Sequence, residues 1–264
     1  MKKEKNSKKI GIIGVGVVGN ALAKAVLDPI LYDKYKSIGS IDAINGADII
    51  FICVPTPYKE EIGFDASMVD EAFSIIKGNK IVVIKSTVLP GTTEKMQRIY
   101  SNHKVLFNPE FLREISAEED MKKPYEQIIG YTELSKDVAK EILKILPKAP
   151  AEFIVPAIES EMVKYFSNTF LATKVIFANQ IYDLCKKLGV NYDSIKEMAR
   201  TNPRFSFSHF DIWADGYRGY SGKCLPKDTK SLIQLGDKVG IDLSLLKKVD
   251  EINEKLLEDN NKEK

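Results

Sequence analysis

Cysteine and histidine are scarce in this sequence, with three of the first and two of the second among 264 residues. The cysteines are far apart and form no C-x-x-C pair, which favours a reducing compartment and argues against a structural metal site. The two histidines are not part of any cluster of ligands. We therefore expect no bound metal, and we interpret His209 as a loop-packing residue or a substrate contact.

A net charge of one sign and long apolar runs are also missing. Lys and Arg number 39 against 37 for Asp and Glu, so no overall field favours nucleic acid or an acidic membrane. No segment is long and apolar enough to span a membrane. The lysine-rich start followed by an apolar run is similar to a secretion signal, but four glycines between residues 11 and 19 interrupt it. We expect a cytoplasmic protein with no nucleic-acid or membrane partner.

The first feature that the sequence does have is a glycine pattern directly after a predicted strand at residues 9–13. In this context G-x-G-x-x-G predicts a dinucleotide site. The first glycine permits a tight turn, the second lets the backbone approach a pyrophosphate, and the third lets helix and strand pack closely. The helix that follows, to about residue 27, attracts the phosphates at its N-terminus. The predicted cofactor contacts in this turn are Gly14, Val15, Gly16, Val17, Val18 and Gly19.

An acidic residue ends the next predicted strand. Asp33 follows the apolar residues 30–32 and lies about twenty residues after Gly14, where a carboxylate can accept a hydrogen bond from the adenosine ribose 2′-OH. The pattern therefore predicts NAD rather than NADP, because a 2′-phosphate would meet this carboxylate. The alternative is that Asp33 is only a turn residue.

Predicted strands and helices alternate through the first 156 residues, which indicates an α/β fold. Near-continuous apolar runs are typical of strands that are covered on both faces of a parallel sheet. We therefore predict a Rossmann-type doubly wound parallel sheet in a NAD-binding domain at residues 1–156. Its later strands are predicted at residues 48–54, 80–85, 105–107, 127–130 and 152–155.

The rest of the chain has a helical pattern. A long amphipathic helix at 157–188 opens a smaller all-α central domain at 157–264, whose charged tail from residue 258 we expect to be frayed. This helix, the aromatic loop 201–217 and a helix at 241–257 offer more apolar surface than a small domain can bury alone. A homodimer through the helical domain is the expected outcome, since two-fold dimers are the commonest closed assemblies.

Polar residues follow two of the predicted strands. Residues 86–92 form a polar turn at the carboxyl end of a strand, the edge at which open α/β sheets bind ligands. We interpret Ser86 or Thr92 as the cap of the helix that follows. Glu110 and Glu114 follow another strand, and in a cleft this pair could supply a general base. The alternative is an ordinary solvated pair, because the same spacing is common on exposed helices.

Three polar residues share one face of the long helix. Glu161, Lys164 and Asn168 are three and four residues apart, so their side chains project on the same side. An exposed polar stripe is one explanation. Their largely apolar neighbours favour partial burial instead.

One cysteine has the surroundings of a nucleophile. Cys224 follows a short glycine-containing loop and precedes Pro226, a residue that suits the first turn of a helix. The positive end of the helix dipole and the two flanking lysines favour ionisation of the thiol. For Cys53 and Cys185 we prefer the ordinary interpretation of a small buried hydrophobe.

The segment around Cys224 carries a resemblance to a known family. Residues 219–228, Gly-Tyr-Ser-Gly-Lys-Cys-Leu-Pro-Lys-Asp, resemble the active-site segment of the UDP-glucose/GDP-mannose dehydrogenase family. Residues 108–114, Asn-Pro-Glu-Phe-Leu-Arg-Glu, resemble its sugar-binding segment, and 161–168 resemble its catalytic Lys and Asn helix. The resemblance implies an NAD-dependent oxidoreductase. Its reaction would convert UDP-glucose, or a similar nucleotide sugar, to the uronic acid in two hydride transfers through a Cys224 thioester.

The resemblance also implies a role for each candidate residue. In the catalytic set, the nucleophile is Cys224, and the oxyanion donors are Lys164 and Asn168. The groups that position a water molecule are Asp228 and Thr87. The base is Glu110 or Glu114. The implied cofactor contacts outside the glycine turn are Pro55, Thr56, Thr87, Glu114 and Lys227. The implied substrate contacts are Glu110, Phe111, Leu112, Arg113, Lys164, Asn168, Tyr220, Gly222 and Arg204, the last matching an arginine that reaches the neighbouring subunit's substrate in relatives.

Some features depart from the family pattern. Ser221 stands where the family usually has a glycine, and Glu126 stands where it commonly has an arginine. Relatives continue into a third domain that holds much of the nucleotide, so we expect a short form without that domain. Two other functions stay open. One is a non-catalytic NAD-binding or dimer-forming subunit, and the other is a hydroxyacid dehydrogenase of the 6-phosphogluconate type, which has no need of Cys224.

Overall fold

The computed structural model describes residues 8–204, 206–214 and 216–262 of the chain. These residues form two compact units. The first contains the described residues of Met1–Pro57 and Asp65–Lys164, and the second contains Tyr58–Phe64 and the described residues of Tyr165–Lys264. The predicted domain boundary after residue 156 stays a prediction.

Nine strands and ten α-helices occur in the described ranges. The strands are β1 (Ile10–Ile13), β2 (Ile30–Tyr32), β3 (Ile49–Ile52), β4 (Tyr58–Lys59), β5 (Gly63–Phe64), β6 (Ile81–Ile84), β7 (Lys104–Phe107), β8 (Glu126–Tyr131) and β9 (Ala151–Pro156). The helices are α1 (Val17–Ala23), α2 (Ile41–Asn45), α3 (Ser67–Ser74), α4 (Thr92–Ile99), α5 (Ala117–Lys122), α6 (Lys136–Ile145), α7 (Ala157–Leu188), α8 (Tyr192–Arg200), α9 (Leu225–Lys238) and α10 (Ser244–Lys262). A 3-10 turn, Glu114–Ser116, precedes α5.

The first unit is built on a seven-stranded sheet in the order β2-β1-β3-β6-β7-β8-β9. Strand β1 pairs in parallel with β2 on one side and with β3 on the other, so the strand order reverses between β1 and β3. In open α/β sheets this reversal point, at the carboxyl ends of the strands, is where ligands bind. The order and the parallel pairing confirm the predicted doubly wound fold.

One strand pair differs from the predicted parallel sheet. Strand β8 runs antiparallel to β7, while β9 runs parallel to β8. The connecting residues 108–125 contain the candidate sugar-binding segment and the short helix α5. Strand β8 therefore begins at the end of the sheet where β7 ends, and it runs back antiparallel to β7.

The core of the first unit lies on the central strands. Every residue of β1, β3 and β6 is buried. Ile12, Phe51, Val83 and Leu106 are completely inaccessible and belong to one apolar cluster. A strand that is covered on both faces needs no alternation of polar and apolar residues, which explains the continuous apolar runs in the sequence.

The described residues from 157 onward contain only the helices α7 to α10, which agrees with the predicted helical central domain. The second unit also contains a short hairpin from an earlier part of the chain. The hairpin of β4 and β5 belongs to it, although the sequence of the hairpin lies inside that of the first unit. The Phe64 N–H donates to Gln234 Oε1 of α9 at 3.1 Å. A Cβ atom on Gly63 would lie 1.9 Å from the Gln234 amide, so this contact requires glycine. An apolar-pattern search has little chance of finding two-residue strands of this kind.

Two helix ends differ from the sequence predictions. Helix α1 ends at Ala23 rather than near residue 27, and α10 continues to Lys262 rather than ending near residue 257. The last turns are anchored because the Asn260 side chain pairs with the backbone of Arg218. Residues 263 and 264 lie outside the described ranges. Among the described helices, none combines the length and apolar character that crossing a membrane requires.

Candidate active site

The glycine turn after β1 has the geometry that the sequence predicts. Gly14 has a φ of +90°, and a Cβ there would lie 2.7 Å from the carbonyl oxygen of Cys53. A Cβ on Gly19 would lie 1.9 Å from the Gly14 carbonyl oxygen, so the helix could not approach the turn as closely. A Cβ on Gly16 would meet no atom within 4 Å. The turn is therefore closed on the protein side and open at Gly16, as a pyrophosphate at the start of α1 requires.

Asp33 holds this turn through its carboxylate. Its Oδ2 accepts from the Val15 N–H at 2.8 Å, and its Oδ1 accepts from the N–H groups of Tyr35 and Lys36 at 3.0 Å each. The Lys36 ammonium donates to the Val15 carbonyl oxygen at 2.6 Å. Asp33 thus is a turn residue, and a contact with the cofactor ribose would be a second role.

The ends of β3 and β6 are linked by hydroxyl groups. The buried Thr56 hydroxyl donates to the Thr87 carbonyl oxygen at 2.7 Å, next to the exposed Pro55. The Ser86 hydroxyl donates to the Val54 carbonyl oxygen at 2.7 Å. These bonds fix the two loops that the sequence assigns to the cofactor and to a water molecule.

The cap of α4 is different from the one predicted. Gly91 is the N-cap residue, and Ser86 and Thr92 make no capping bond. Instead Glu161 of α7 accepts from the Thr93 N–H at 2.7 Å, from the Thr93 hydroxyl at 2.6 Å and from the Gly91 N–H at 2.5 Å. The prediction failed because the capping group is 68 residues away in sequence. Burial raises the pKa of Glu161 to about 7, against the effect of these hydrogen bonds.

Three residues after Glu161, Lys164 forms a buried ion pair with Glu110. Its Nζ lies 3.0 Å from Glu110 Oε1 and donates to the Glu110 carbonyl oxygen at 2.5 Å, while Glu110 Oε2 accepts from the Leu112 N–H at 2.8 Å. The two side chains are 5% and 11% exposed. Burial alone would raise the pKa of Glu110, but Lys164 and the Leu112 N–H hold it below its ordinary value. Lys164 also lies 5.3 Å from the centre of the Phe111 ring.

The rest of the 108–114 segment is more exposed. Arg113 pairs with Asp120 through its backbone N–H and its guanidinium, at 2.7 to 3.1 Å. A substrate contact by this guanidinium would therefore compete with Asp120. Glu114 begins the 3-10 turn and is exposed, whereas Glu110 is largely buried. An open cavity of about 700 Å³ is lined by Val17, Asn20, residues 114–119, Lys122 and Lys123. This cavity brings Glu114 to the start of α1, as a cofactor contact would require.

In the second unit, three polar side chains form a network between α7 and α9. Asn168 donates to Asp228 Oδ2 at 2.5 Å, and the Lys227 ammonium pairs with Asp228 Oδ1. Asp228 is 1% exposed. The carboxylate of Asp228 is thus held on both oxygens.

Cys224 is the N-cap residue of α9, and Pro226 lies in the first turn as predicted. The thiol residue is exposed, whereas Cys53 and Cys185 are buried and fit their assignment to the core. Positive φ angles in the loop fall on Gly219 and Gly222, at +85° and +81°, and not on Ser221. The serine that departs from the family pattern therefore causes no strain of this kind. Tyr220 is buried at 3% exposure, and Arg204 is exposed.

Comparison with known proteins decides the family. Residues 21–146 match the NAD binding domain of the UDP-glucose/GDP-mannose dehydrogenase family, and residues 158–255 match its central domain. A UDP-glucose 6-dehydrogenase of Rickettsia typhi is 34% identical over 226 residues, which cover 82% of this chain and 51% of that protein. The chain belongs to the UDP-glucose/GDP-mannose dehydrogenase family. Its NAD binding domain identifies NAD as the cofactor, in agreement with the glycine turn.

Solved structures of this dehydrogenase family share the fold. A UDP-glucose dehydrogenase of Pyrobaculum islandicum superposes with a TM-score of 0.83 at 28% identity, covering 96% of this chain and 69% of its own. A UDP-D-ManNAc dehydrogenase of Pyrococcus horikoshii has a TM-score of 0.81 at 25% identity, covering 94% of this chain and 68% of its own. The chain spans about half the length of the curated relatives that it matches.

Two further polar residues, at the carboxyl ends of β6 and β7, are buried and hydrogen-bonded to each other. Lys85 follows β6 and donates to Asn108 Oδ1 at 2.6 Å, and Asn108 donates to the Ile128 carbonyl oxygen at 2.9 Å. Burial lowers the pKa of Lys85 to about 8, although the nearby Cys53 and Glu110 act in the opposite direction. A charged residue directly after four buried strand residues was the signal that could have found Lys85.

Proposed function

We propose that this chain carries the catalytic machinery of a nucleotide-sugar 6-dehydrogenase, which oxidises the primary alcohol of the sugar to a carboxylate. The observation that carries the proposal is the exposed Cys224 at the N-cap of α9, one helical turn before the buried Asp228 that holds Asn168. A nucleophile at a helix N-terminus and a preorganised amide donor are what covalent oxidation of an aldehyde needs.

Most of the residues that would hold NAD lie in the first unit. The open Gly16 and the start of α1 would take the pyrophosphate, and Asp33 would face the adenosine ribose. The remainder of the cofactor would be contacted by Pro55, Thr56, Thr87 and Glu114. The family resemblance also assigns a cofactor contact to Lys227, which belongs to the second unit. NAD⁺, when bound, supplies the hydride acceptor for both oxidation steps.

Cys224 would act on the aldehyde formed by the first oxidation. The thiolate sulfur bonds to the aldehyde carbon, and the carbonyl π electrons move to the oxygen. Lys164 and Asn168 would donate hydrogen bonds to this oxyanion, an effect that is strongest in a site without bulk water. The second oxidation leaves a thioester at Cys224.

Hydrolysis of the thioester would release the product. Thr87 and Asp228 would position a water molecule, whose oxygen bonds to the thioester carbon while the Cys224 sulfur leaves as a thiolate. Glu110 or Glu114 would take the proton from that water. Glu110 is ionised and therefore able to accept a proton, but its low pKa makes it a weak base. Glu114 lines the cavity at α1 and is the alternative base.

We propose UDP-glucose as the substrate. The alternative substrate is a UDP-N-acetylhexosamine. The 34% identical relative is a UDP-glucose 6-dehydrogenase, and a structural relative is a UDP-D-ManNAc dehydrogenase. Phe111, Leu112, Arg113, Tyr220, Gly222 and Arg204 are the remaining substrate contacts that the family resemblance assigns. A screen of UDP-glucose, UDP-N-acetylmannosamine and GDP-mannose, followed at the absorbance of NADH, tests this choice.

The number of NADH molecules per sugar separates this function from its rivals. We expect two NADH for each sugar oxidised and a uronic acid product. One NADH would indicate a simple hydroxyacid dehydrogenase, and NAD binding without turnover would indicate a non-catalytic subunit.

We also propose that the chain forms a homodimer through α7. Four large apolar side chains lie four and seven residues apart on this helix and are more than half exposed, which places them on one face. Two of these rings stack at 6.4 Å. The four residues are Phe166, Phe170, Phe177 and Leu184. Light scattering of the wild type and of Phe177→Glu tests the proposal, and a monomeric wild type would contradict it.

A further inference from the structure

The loop that leads to Cys224 is held by a helix outside the assigned site. The Tyr220 N–H donates to Asn253 Oδ1 at 2.7 Å, and Asn253 Nδ2 donates to the Tyr220 carbonyl oxygen at 2.9 Å. Two residues earlier, the Arg218 N–H donates to Asn260 Oδ1 at 3.2 Å, and Asn260 Nδ2 donates to the Arg218 carbonyl oxygen at 2.8 Å. Both asparagines belong to α10.

The chemistry of these two contacts explains why asparagine is used. A side-chain amide has one acceptor oxygen and an NH₂ donor, so it can pair with both backbone groups of one residue as a neighbouring strand would. Residues 218 and 220 both turn these groups to α10. Tyr220 and Asn253 are almost inaccessible to solvent. If the hydrogen bonds between them were broken, water could not readily take their place, and the free energy of unfolding would fall.

Close approach of the loop to α10 depends on Gly219. A Cβ at this position would lie 2.6 Å from Asn253 Oδ1 and 3.5 Å from the Leu256 side chain, and the φ of +85° is itself unfavourable for other residues. The Arg218 side chain adds a third anchor, since its Nε donates to Asn179 Oδ1 of α7 at 3.0 Å. The loop is therefore fixed at residues 218 and 220, and it is held by two helices, α10 and α7.

The same helix also holds α9, whose N-cap is Cys224. Lys230 of α9 pairs with Glu254 of α10 at 2.7 Å, and Lys247 of α10 pairs with Asp237 of α9 at 2.7 Å. Because Cys224 stands at the junction of the loop and α9, one helix locates the chain on both sides of it. Movement of the loop away from α10 would shift the thiol from the helix N-terminus.

We propose that Asn253 and Asn260 are positioning residues that clamp the 218–220 backbone to α10 and so hold Cys224 at the N-terminus of α9. The proposal rests on the proposed function, because it assigns the purpose of the clamp to the nucleophile. Neither asparagine touches the reacting atoms. Their effect passes through the loop.

The test uses Asn253→Leu and Asn260→Leu in the full chain, with two readouts. The first is the rate at which iodoacetamide alkylates Cys224 as a function of pH, measured by mass spectrometry of the Cys224 peptide without substrates. The second is kcat together with the KM for NAD⁺. We expect both variants to raise the pH at which alkylation reaches half its maximum rate, because the thiol leaves the helix dipole. We expect kcat to fall about tenfold or more while the KM for NAD⁺ changes less than about twofold.

Val249→Ala is the matched control. Val249 lies one turn before Asn253 on α10 and packs in the apolar cluster that contains Tyr220. Its truncation should lower the melting temperature but leave the alkylation profile of Cys224 unchanged. Asn260 is only half-buried, so Asn260→Leu decides the question if Asn253→Leu does not fold.

The two readouts separate failure of the clamp from failure of the function. A wild-type alkylation profile or a wild-type kcat in both asparagine variants would overturn the positioning role, even if the wild-type chain is an active dehydrogenase. A wild-type chain without any NADH production would overturn the proposed function. In that case the alkylation profiles alone still decide whether the clamp holds Cys224.

Discussion

The two units place their functional side chains by different means. In the first unit, Gly14, Thr56 and Thr87 follow the carboxyl ends of adjacent parallel strands, so the ladder register brings them to one edge of the sheet. In the second unit, Cys224 depends on side-chain contacts from residues far away in sequence, such as Asn253. A site built on strand ends is set by local pattern, and a site built on a loop beside helices is set by long-range packing. Substitutions in each unit should therefore affect different measurements.

The largest effect is expected at Cys224, the proposed nucleophile in the second unit. Cys224→Ser should lower NADH production with a saturating nucleotide sugar by about a thousandfold or more, because a serine hydroxyl is not activated at neutral pH. NAD⁺ binding, measured by calorimetry, should not change because the glycine turn is in the other unit. Cys185→Ser, at a buried thiol, is the control. Wild-type turnover in the Cys224 variant would contradict the covalent mechanism.

A smaller effect is expected at the ion pair of the first unit. Lys164→Met leaves the buried carboxylate of Glu110 without its cation, so the free energy of unfolding should fall by about 3 kcal/mol. Loss of an oxyanion donor should lower kcat by about a hundredfold. Urea denaturation and steady-state kinetics measure the two quantities.

A second variant separates charge burial from catalysis at this pair. Lys164→Met with Glu110→Gln removes both charges, so most of the lost stability should return while kcat stays low. Recovery of turnover in the double variant would show that Lys164 acts on Glu110 and not on the substrate.

The next prediction concerns cofactor choice in the first unit. Asp33→Asn removes the charge that we propose to face the ribose, and it changes one of the acceptors that hold the Val15 and Lys36 N–H groups. Titration should show NAD⁺ binding weakened about tenfold and the preference for NAD⁺ over NADP⁺ reduced. Asp48→Asn is the control, because Asp48 also accepts a backbone N–H, from Lys9, but precedes β3 at the opposite edge. Unchanged cofactor preference in Asp33→Asn would leave Asp33 as a turn residue only.

The smallest effect is a pH dependence from Glu161. Its folded pKa of about 7 lies above its ordinary value, so the unfolded chain loses the proton first as the pH rises. The stabilising contribution is therefore complete below about pH 4.5 and is lost as the pH rises to about 7, on the order of 3 kcal/mol in total. The Glu161→Gln variant should have a lower free energy of unfolding than the wild type at low pH. Its free energy of unfolding should not show this decline as the pH rises.

Chemical denaturation at several pH values measures the difference between the two proteins. Glu159→Gln, at an exposed position on the same helix, should follow the wild type. A wild-type stability that rises between pH 5 and pH 7, relative to Glu161→Gln, would contradict the raised pKa.

Local pattern predicted much of the first unit. The strand after residue 9, the glycine turn and Asp33 were found because their signals lie within about twenty residues of one another, the span of a single βαβ unit. The helix start at Cys224 was found for a similar reason, since Pro226 marks a first turn. The antiparallel β8, the hairpin at 58–64 and the cap by Glu161 were not found, because each depends on a partner distant in sequence.

The sequence by itself determined the class of the fold, the cofactor and the chemical types of the candidate groups. These follow from hydrophobic periodicity, glycine spacing and residue identity, which are properties of short stretches. Only the tertiary structure decided that Glu110 pairs with Lys164 while Glu114 stays exposed, that Asp228 holds Asn168, and that α10 holds the Cys224 loop. The physical reason is that a side chain's ionisation and aim depend on burial and on its partners, and both are created when distant segments pack together.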